Sequence, residues 1–126
     1  DGMKVLYEHT VLPLFADESC VKESDVTKCN GFFHGINIKL TKCGGITPAR
    51  RMITQARSMN LKIMLGCMNE SAVGTAAIAQ LAPLVDYADM DGTLLQTSSV
   101  ADGVEIVDGK YLFNNLPGLG ITSVFM

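Results

Sequence analysis

The sequence lacks the features by which nucleic-acid-binding and membrane proteins are usually recognised. Lysines and arginines form no block, and the formal net charge is -3, so nothing concentrates positive potential against a phosphate backbone or an anionic lipid surface. The longest apolar stretch, residues 76–85, is interrupted by Gln80 and Pro83 and falls short of the roughly 20 residues that a membrane span requires. We therefore expect neither a nucleic acid nor a membrane as a partner.

Cysteine motifs are also absent. The four cysteines form no C-x-x-C pair, which argues against a zinc ribbon or a dithiol redox centre. Two disulfides in a small secreted protein are the alternative, but the hydrophobic content of 48% suits a packed globular core with reduced thiols. We expect a soluble cytoplasmic protein. The chain opens at Asp1 without an initiator Met or a signal-like segment, so we expect upstream sequence to be missing.

Strand and helix patterns alternate regularly over residues 1–92. Apolar or alternating segments that are typical of buried strands start near positions 12, 36, 62 and 85, and one helical pattern falls in each gap. After an opening helix that ends by His9, the clearest helix is predicted to have Thr47 as its N-cap and to close near Asn60, and the next to begin at Ser71 and end at Pro83. This alternation predicts an α/β fold with a parallel sheet.

Polar residues on one face of the predicted strands bear on the architecture. Asn37 and Lys39 alternate with the apolar residues Ile36, Ile38 and Leu40, so the two sets face opposite sides. The four units fit either half of a barrel or a small doubly wound sheet, in which both faces of the strands should be apolar. The polar face favours a barrel, whose interior receives these side chains.

Residues 93–126 follow a different pattern. Residues 104–107 and 111–113 flank Asp108-Gly109, a dipeptide that favours a tight hairpin turn, and an apolar tail follows Pro117. We predict a C-terminal β-hairpin and tail for this segment.

The loops after the strands of a parallel βα barrel all lie on one face, where active sites are built. The residues that the sequence delivers to this rim are Asp17 and Glu18, Lys39, Met68 and Glu70, and Asp89 and Asp91. Carboxylates from several strand ends beside one lysine are a plausible site for a divalent cation with an amine that moves a proton.

Each of these residues also has a purely structural interpretation. Asp17 and Glu18 can cap the following helix, Lys39 can form a structural ion pair, and Glu70 can simply begin a helix. Gly44-Gly45 opens a helix and can bind an anion through backbone N–H groups, but no G-x-G-x-x-G or Walker pattern is present. The two histidines, at positions 9 and 34, lie away from the rim, where a structural role is expected.

Four motifs in order give the chain a specific resemblance: Ala16-Asp17-Glu18-Ser19, Asn37-Ile38-Lys39-Leu40-Thr41-Lys42-Cys43-Gly44-Gly45, Gly66-Cys67-Met68-Asn69-Glu70-Ser71 and Asp89-Met90-Asp91-Gly92. The chain resembles the muconate-lactonizing subgroup of the enolase superfamily, and within it the dipeptide epimerases of the L-Ala-D/L-Glu type. The resemblance implies the C-terminal half of a (β/α)8 barrel, running from the end of helix 4 through strand 8 over residues 1–92.

The resemblance also implies an activity and a role for each rim residue. It implies a Mg2+-dependent epimerase that removes and returns the proton alpha to a carboxylate of a dipeptide. Asp17 would be the last of three carboxylate ligands to Mg2+, with Glu18 supporting it, and Lys39 one of two acid/base lysines. A nearby cation would favour the neutral amine that Lys39 needs as a base. The substrate would be bound by Asp89 and Asp91, which receive its α-ammonium group, and by Met68 and Glu70.

The departures from the family pattern limit what the chain is expected to do alone. The Lys-x-Lys strand, the other two metal carboxylates and the N-terminal capping domain all precede the point at which such a segment begins. We therefore expect residues 93–126 to pack on a missing capping domain, and the isolated chain to be inactive and to need its N-terminal half. Other subgroup activities remain open: N-acylamino acid racemase, o-succinylbenzoate synthase or cycloisomerase. So does a non-catalytic half-barrel that binds an anion or self-associates into a homo-oligomer.

Overall fold

The structure is a computed structural model that describes residues 2–124. Its helices are α1 (Gly2–His9), α2 (Val26–Cys29), α3 (Leu40–Cys43), α4 (Ile46–Ser58) and α5 (Ala72–Ala79). Its strands are β1 (Phe15–Ala16), β2 (Gly35–Lys39), β3 (Lys62–Gly66), β4 (Tyr87–Ala88), β5 (Ala101–Asp102), β6 (Glu105–Val107), β7 (Lys110–Leu112) and β8 (Ser123–Val124). Short 3-10 turns cover Glu23–Asp25, Ala82–Leu84 and Asp91–Leu95.

The first four strands form one parallel sheet in the order β1-β2-β3-β4. Gly35 of β2 is paired with Phe15 of β1 on one side and with Lys62 of β3 on the other. Met64 of β3 is paired with Tyr87 of β4. Each strand is next to its successor in sequence, with helical structure between them, so the predicted βα alternation and parallel sheet are confirmed.

The hydrophobic core lies between this sheet and its helices. Alternate residues of the two central strands, Ile36, Ile38, Ile63 and Leu65, are almost completely buried, and they pack against the buried stripe of α4: Ala49, Met52, Ile53 and Ala56. Burying each large aliphatic side chain contributes about 1.5–3 kcal/mol. The other face of β2 carries Asn37 and Lys39, which stay partly exposed. The strand therefore separates a dry helix-facing side from a polar inner side, as its alternation predicted.

The start of α4 corrects one prediction. The helix begins at Ile46 after Gly45, so Thr47 lies inside it and is not its N-cap, and it ends at Ser58, slightly before Asn60. Gly44 and Gly45 adopt φ values of 98° and 108°, which favour glycine. The Leu40 carbonyl accepts hydrogen bonds from both glycine N–H groups, so this tight connection sets where α4 starts.

The last βα unit is shorter than the sequence predicted. Helix α5 is capped by Ser71 as expected, with its Oγ accepting from the Gly74 N–H at 3.3 Å, but it ends at Ala79 and not at Pro83. Strand β4 has only two residues, because the Asp86 carboxylate accepts the Ile63 N–H at 2.7 Å and replaces a ladder bond. Side-chain pairing of this kind leaves no signal in an apolar pattern.

The C-terminal segment contains the predicted hairpin. Strands β6 and β7 are antiparallel, and Asp108 and Gly109 connect them with φ values of 49° and 73°. Two positive φ values in a two-residue loop are the mark of a type I′ turn. A second antiparallel pair, β5 with β8, was not predicted. Whether residues 93–126 form a separate unit that packs on a capping domain stays a prediction.

Two further findings bear on the composition arguments. Among residues 2–124, no helix combines the length and apolarity that a membrane crossing requires. The four cysteines, all within that range, are free thiols, as expected.

Candidate active site

The predicted rim residues lie at the carboxyl ends of the four parallel strands. Asp17 follows β1, and Lys39 is the last residue of β2, where it is paired with Gly66 of β3. Asp89 follows β4, and its N–H donates to the Leu65 carbonyl of β3 at 2.8 Å. Because the strands are parallel and in register, these positions share one edge of the sheet.

The Asp17 carboxylate is the most heavily contacted group at this edge. Its Oδ2 accepts from Lys39 Nζ at 2.6 Å and from Asn37 Nδ2 at 3.3 Å, and its Oδ1 accepts from Lys42 Nζ at 3.4 Å. Burial alone would raise the pKa of the Asp17 carboxyl, but the hydrogen bonds and charges of the two lysines outweigh it and hold that pKa below its usual value. Asp17 is therefore ionised at neutral pH and does not merely cap a helix.

The Lys39 side chain points to the inner face of the sheet. It is only 13% exposed, and its ammonium group meets Asp17. An amine in this position is shielded from water but has an ionised partner, which offsets the cost of burying its charge. The contact is compatible with both predicted roles, a structural ion pair and a proton-transferring amine, because a proton-transferring amine also needs a partner that fixes its position.

Lys42 was missed by the sequence reasoning, which assigned it no role. It lies on α3 and contacts Glu18 Oε1 at 2.9 Å in addition to Asp17. The hydrogen bond from Lys42 is the main reason why the pKa of the Glu18 carboxyl is lowered. The available signal was the pairing of two acids after β1 with two lysines after β2, because residues at adjacent strand ends meet.

Asp89 and Asp91 lie together as predicted, but not on the strand. Asp91 begins a 3-10 turn beyond β4. The carboxylate oxygens of both residues and the Cys67 sulfur all lie within 4.8 Å of one another, and Cys67 Sγ donates to Asp91 Oδ1 at 3.6 Å. Among residues 2–124, neither aspartate forms an ion pair with a lysine or an arginine. Two exposed carboxylates without a cationic partner are suited to receive a positively charged group.

Met68 and Glu70, the other predicted substrate contacts, differ in their surroundings. Met68 is 48% exposed next to the strand end, whereas Glu70 is only 8% exposed. Glu70 lines a cavity of about 450 Å³ that also touches Gly44 and Gly45, and its Oε1 accepts from the Met68 N–H at 3.4 Å. This position favours the interpretation of Glu70 as the residue that leads into α5. It also disfavours an anion at Gly44-Gly45, because a carboxylate already lines that cavity.

The histidines have structural partners. His34 Nδ1 accepts the Leu14 N–H at 3.0 Å, and its ring packs on that of Tyr7 with centroids 4.5 Å apart. The ring of His9 bonds to the Val5 carbonyl of its own helix. Neither contact belongs to the rim.

The donor atoms around Asp17 fit Mg2+ in kind. Mg2+ prefers hard oxygen ligands in octahedral geometry. Asp17 supplies an ionised carboxylate, and the neighbouring Asn37 Oδ1 is buried with no hydrogen-bond partner among residues 2–124. One carboxylate does not complete an octahedral shell, so Asp17 would hold Mg2+ only together with ligands from outside this rim.

The parallel βα layout and a rim of ionisable residues at the strand ends define a segment of a barrel-type enzyme domain. Residues 1–124 match the model of the "Enolase C-terminal domain-like" family. The chain belongs to that family, and the predicted fold class, the C-terminal half of a (β/α)8 barrel, is confirmed.

Similarity extends to named relatives and solved structures. The chain is 53% identical over 122 residues to the L-Ala-D/L-amino acid epimerase of Flavobacterium johnsoniae, an alignment that covers 97% of this chain and 36% of that protein. The substrate-liganded L-Ala-D/L-Glu epimerase of Bacillus subtilis superposes with a TM-score of 0.91 at 28% identity, over 99% of this chain and 36% of that one.

A third comparison involves a metal. The dipeptide epimerase of Methylococcus capsulatus, complexed with Mg and the dipeptide L-Arg-D-Lys, superposes with a TM-score of 0.83 at 33% identity, over 97% of this chain and 38% of that one. The chain thus spans little more than a third of the length of the relatives that it matches.

Proposed function

We propose that this chain is the C-terminal part of a Mg2+-dependent dipeptide epimerase, an isomerase that removes and returns the proton alpha to a carboxylate. The observation that carries the proposal is the contact of Lys39 with Asp17, an amine and an ionised carboxylate at one strand edge, beside two unpaired aspartates. The names of the relatives support the activity, and the Mg in the Methylococcus capsulatus complex supports the cofactor.

Lys39 is the group that moves the proton. When Mg2+ is bound at Asp17, it supplies positive charge for the substrate carboxylate and so makes the adjacent α-proton more acidic. The cation also takes over the Asp17 charge that now holds the Lys39 ammonium group, which favours the neutral amine. Lys39 can then accept the α-proton on one face of the α-carbon or return it there.

Asp89 and Asp91 bind the amino terminus of the dipeptide. A dipeptide carries its free ammonium group at one end and its reacting carboxylate at the other. Two carboxylates without a lysine or arginine partner among the described residues attract that ammonium group and so set the orientation of the substrate. Met68, exposed beside them, is a candidate apolar contact for the substrate.

Epimerisation requires a second acid/base group on the opposite face of the α-carbon, and we propose that it comes from the N-terminal half of the enzyme. The outer strands β1 and β4 each have a neighbour on one side only. Exposed apolar residues such as Leu6, Val11 and Leu12 lie on the segment that precedes β1. We call residues 1–126 joined to the polypeptide that supplies the remaining strands the completed enzyme. Its four free thiols support a location in the reducing cytoplasm.

The proposal is tested with the completed enzyme and three substrates: L-Ala-D-Glu, L-Ala-L-Glu and an N-acylated amino acid. We expect Mg2+-dependent exchange of the α-proton for deuterium with both dipeptides. Replacing Asp89 and Asp91 by Asn should abolish most dipeptide turnover, because the ammonium group loses its partners. The Asp102→Asn variant, which alters an exposed aspartate on β5, is the matched control and should behave like the unmodified enzyme.

The opposite pattern identifies the runner-up. Turnover of the N-acylated substrate that survives the double Asn replacement, with no turnover of dipeptides, would assign the enzyme to the N-acylamino acid racemases of the same subgroup. We also propose that the isolated chain binds Mg2+ weakly and is inactive, so robust epimerase activity from residues 1–126 alone would contradict the need for a second half.

A further inference from the structure

Lys42 is the one lysine at the rim to which the proposed function gives no role. Its ammonium group lies between two carboxylates, 2.9 Å from Glu18 Oε1 and 3.4 Å from Asp17 Oδ1. Both contacts join α3 to the end of β1, which lies more than 20 residues earlier in the chain. A long-range pair of contacts on a proposed metal-binding carboxylate calls for a physical account.

The backbone holds Lys42 firmly at this place. Helix α3 is a single turn, Leu40–Cys43, and the Leu40 carbonyl closes it by accepting the N–H groups of Gly44 and Gly45 at 3.1 and 2.8 Å. The Lys42 side chain is only 24% exposed, so it is packed along the rim and not free in solvent. The orientation of its ammonium group is therefore built into the turn that follows β2.

The two oxygens of Asp17 have different neighbours. Oδ2 faces Lys39 and Asn37, whereas Oδ1 faces Lys42 alone. If the proposed reaction requires Lys39 to leave Oδ2, the contact at Oδ1 is the one charged contact described here that still fixes the plane of the carboxylate. Without it, the Asp17 side chain is free to rotate about its terminal bond.

We propose that Lys42 is a positioning residue that orients Asp17 for metal binding, with Glu18 as the group that holds Lys42. This inference rests on the proposed function, because it concerns the same carboxylate. Glu18 lies closer to Lys42 than Asp17 does and neutralises most of its charge. Lys42 can therefore orient Asp17 without competing strongly with a cation for it.

The charge balance suggests a decisive variant. Replacing Lys42 alone adds a net negative charge, which attracts a cation, and removes an orienting contact, which has the opposite effect. The double variant Glu18→Gln/Lys42→Met removes both charges together and leaves the net charge unchanged. Any loss of metal affinity in it then reports the loss of orientation.

The experiment measures the dissociation constant of Mn2+ by calorimetry for the completed enzyme, together with thermal unfolding in EDTA. We expect the double variant to bind Mn2+ about tenfold more weakly or worse, the range typical when a partner of a metal ligand is removed. Lys42→Arg, which keeps the charge and the donors, should restore most of the affinity. Glu18→Gln alone should bind most weakly, because the unneutralised Lys42 ammonium then competes for Asp17.

The matched control is Asp25→Asn/Lys28→Met, which removes an ion pair of 2.8 Å away from the rim. It should bind Mn2+ like the unmodified enzyme. Equal Mn2+ affinity of the Glu18/Lys42 double variant and the unmodified enzyme would overturn the inference. So would a loss that Lys42→Arg shares while unfolding in EDTA shifts in parallel, because that pattern reports a damaged fold. If the unmodified enzyme itself binds no Mn2+, the proposed function fails first, and the two failures are thus distinguished.

Discussion

The ring of Phe15 meets the ring of Tyr87 edge to face, with centroids 5.4 Å apart, although the two residues lie on the outermost strands of the four-stranded sheet. Neighbouring strands are about 4.8 Å apart, so β1 and β4 would be roughly 14 Å apart in a flat sheet. Ring contact across that span means that the sheet curls around its inner face. This curvature directs Asp17 and Lys39 into a shared interior.

Gly35 permits this contact, since an alanine Cβ there would lie 2.6 Å from the Lys62 carbonyl oxygen and would overlap the Phe15 ring. We expect Gly35→Ala to destabilise the completed enzyme by about 1–3 kcal/mol, the usual cost of overpacking. Urea unfolding measures the effect. Gly2→Ala, where a Cβ meets nothing within 4 Å, is the control and should unfold like the unmodified protein. An unchanged midpoint for Gly35→Ala would show that the rings are not held against β2.

The inner face of the sheet could be predicted from sequence because alternation in a strand has an unambiguous geometric meaning. Ile36 and Ile38 fixed the side on which Asn37 and Lys39 must lie, and parallel pairing then brought Lys39 to the strand end after which Asp17 lies. These relations depend only on backbone periodicity. They hold whatever the side chains do.

The predictions that failed depended on specific side-chain or turn interactions. The start of α4 is set by two glycines with positive φ, and the shortness of β4 by the carboxylate of Asp86. Glu70 follows a strand end like Asp89 does, but it is buried beside α5. Lys42 was missed because a four-residue helix has too little periodicity to show which way its side chains point.

Asp86 anchors the other end of β3 and makes stability depend on pH. Its carboxylate accepts from the Ile63 N–H at 2.7 Å and from Arg57 Nη1 at 2.7 and 3.0 Å. Burial raises the pKa of the Asp86 carboxyl, but these hydrogen bonds and the Arg57 charge lower it below its usual value. Because the folded-state pKa is depressed, the stabilisation is fully present above the unfolded-state value of about 3.9 and is lost as the pH falls through the folded-state value.

We therefore expect Asp86→Ala to cost about 1–3 kcal/mol at pH 7 and progressively less below about pH 4. Thermal unfolding of the completed enzyme and the variant, measured from pH 3 to pH 7, checks this. Asp108→Ala, which alters an exposed turn residue, should show no such convergence toward the unmodified protein at low pH. A penalty for Asp86→Ala that stays constant over the whole range would exclude an ionic contribution.

Lys39→Met tests the proposed proton transfer. We expect it to lower epimerisation by the completed enzyme roughly 10²- to 10⁴-fold, the usual contribution of a general acid or base. Binding of Mn2+ should be retained, because Asp17 keeps its contact with Lys42. Exchange of the α-proton for deuterium, followed by NMR, measures the rate. Lys110→Met, at an exposed position of β7, is the control. Undiminished exchange in Lys39→Met would remove this residue from the mechanism.

The Cys67 thiol reports on the two aspartates next to it. Burial raises the pKa of that thiol, and the hydrogen bond to Asp91 and the charges of Asp89 and Asp91 raise it further, against a backbone hydrogen bond at Gly92. Since the thiolate is the reactive form, we expect Asp91→Asn to speed alkylation of Cys67 by iodoacetamide at pH 8. Peptide mass spectrometry follows the reaction, with the partly buried Cys43 as an internal reference whose rate should not change. In the completed enzyme, a dipeptide whose ammonium group occupies the two aspartates should slow the reaction, whereas an N-acylated amino acid should not. Equal protection by both ligands would mean that these carboxylates do not select for a free amino terminus.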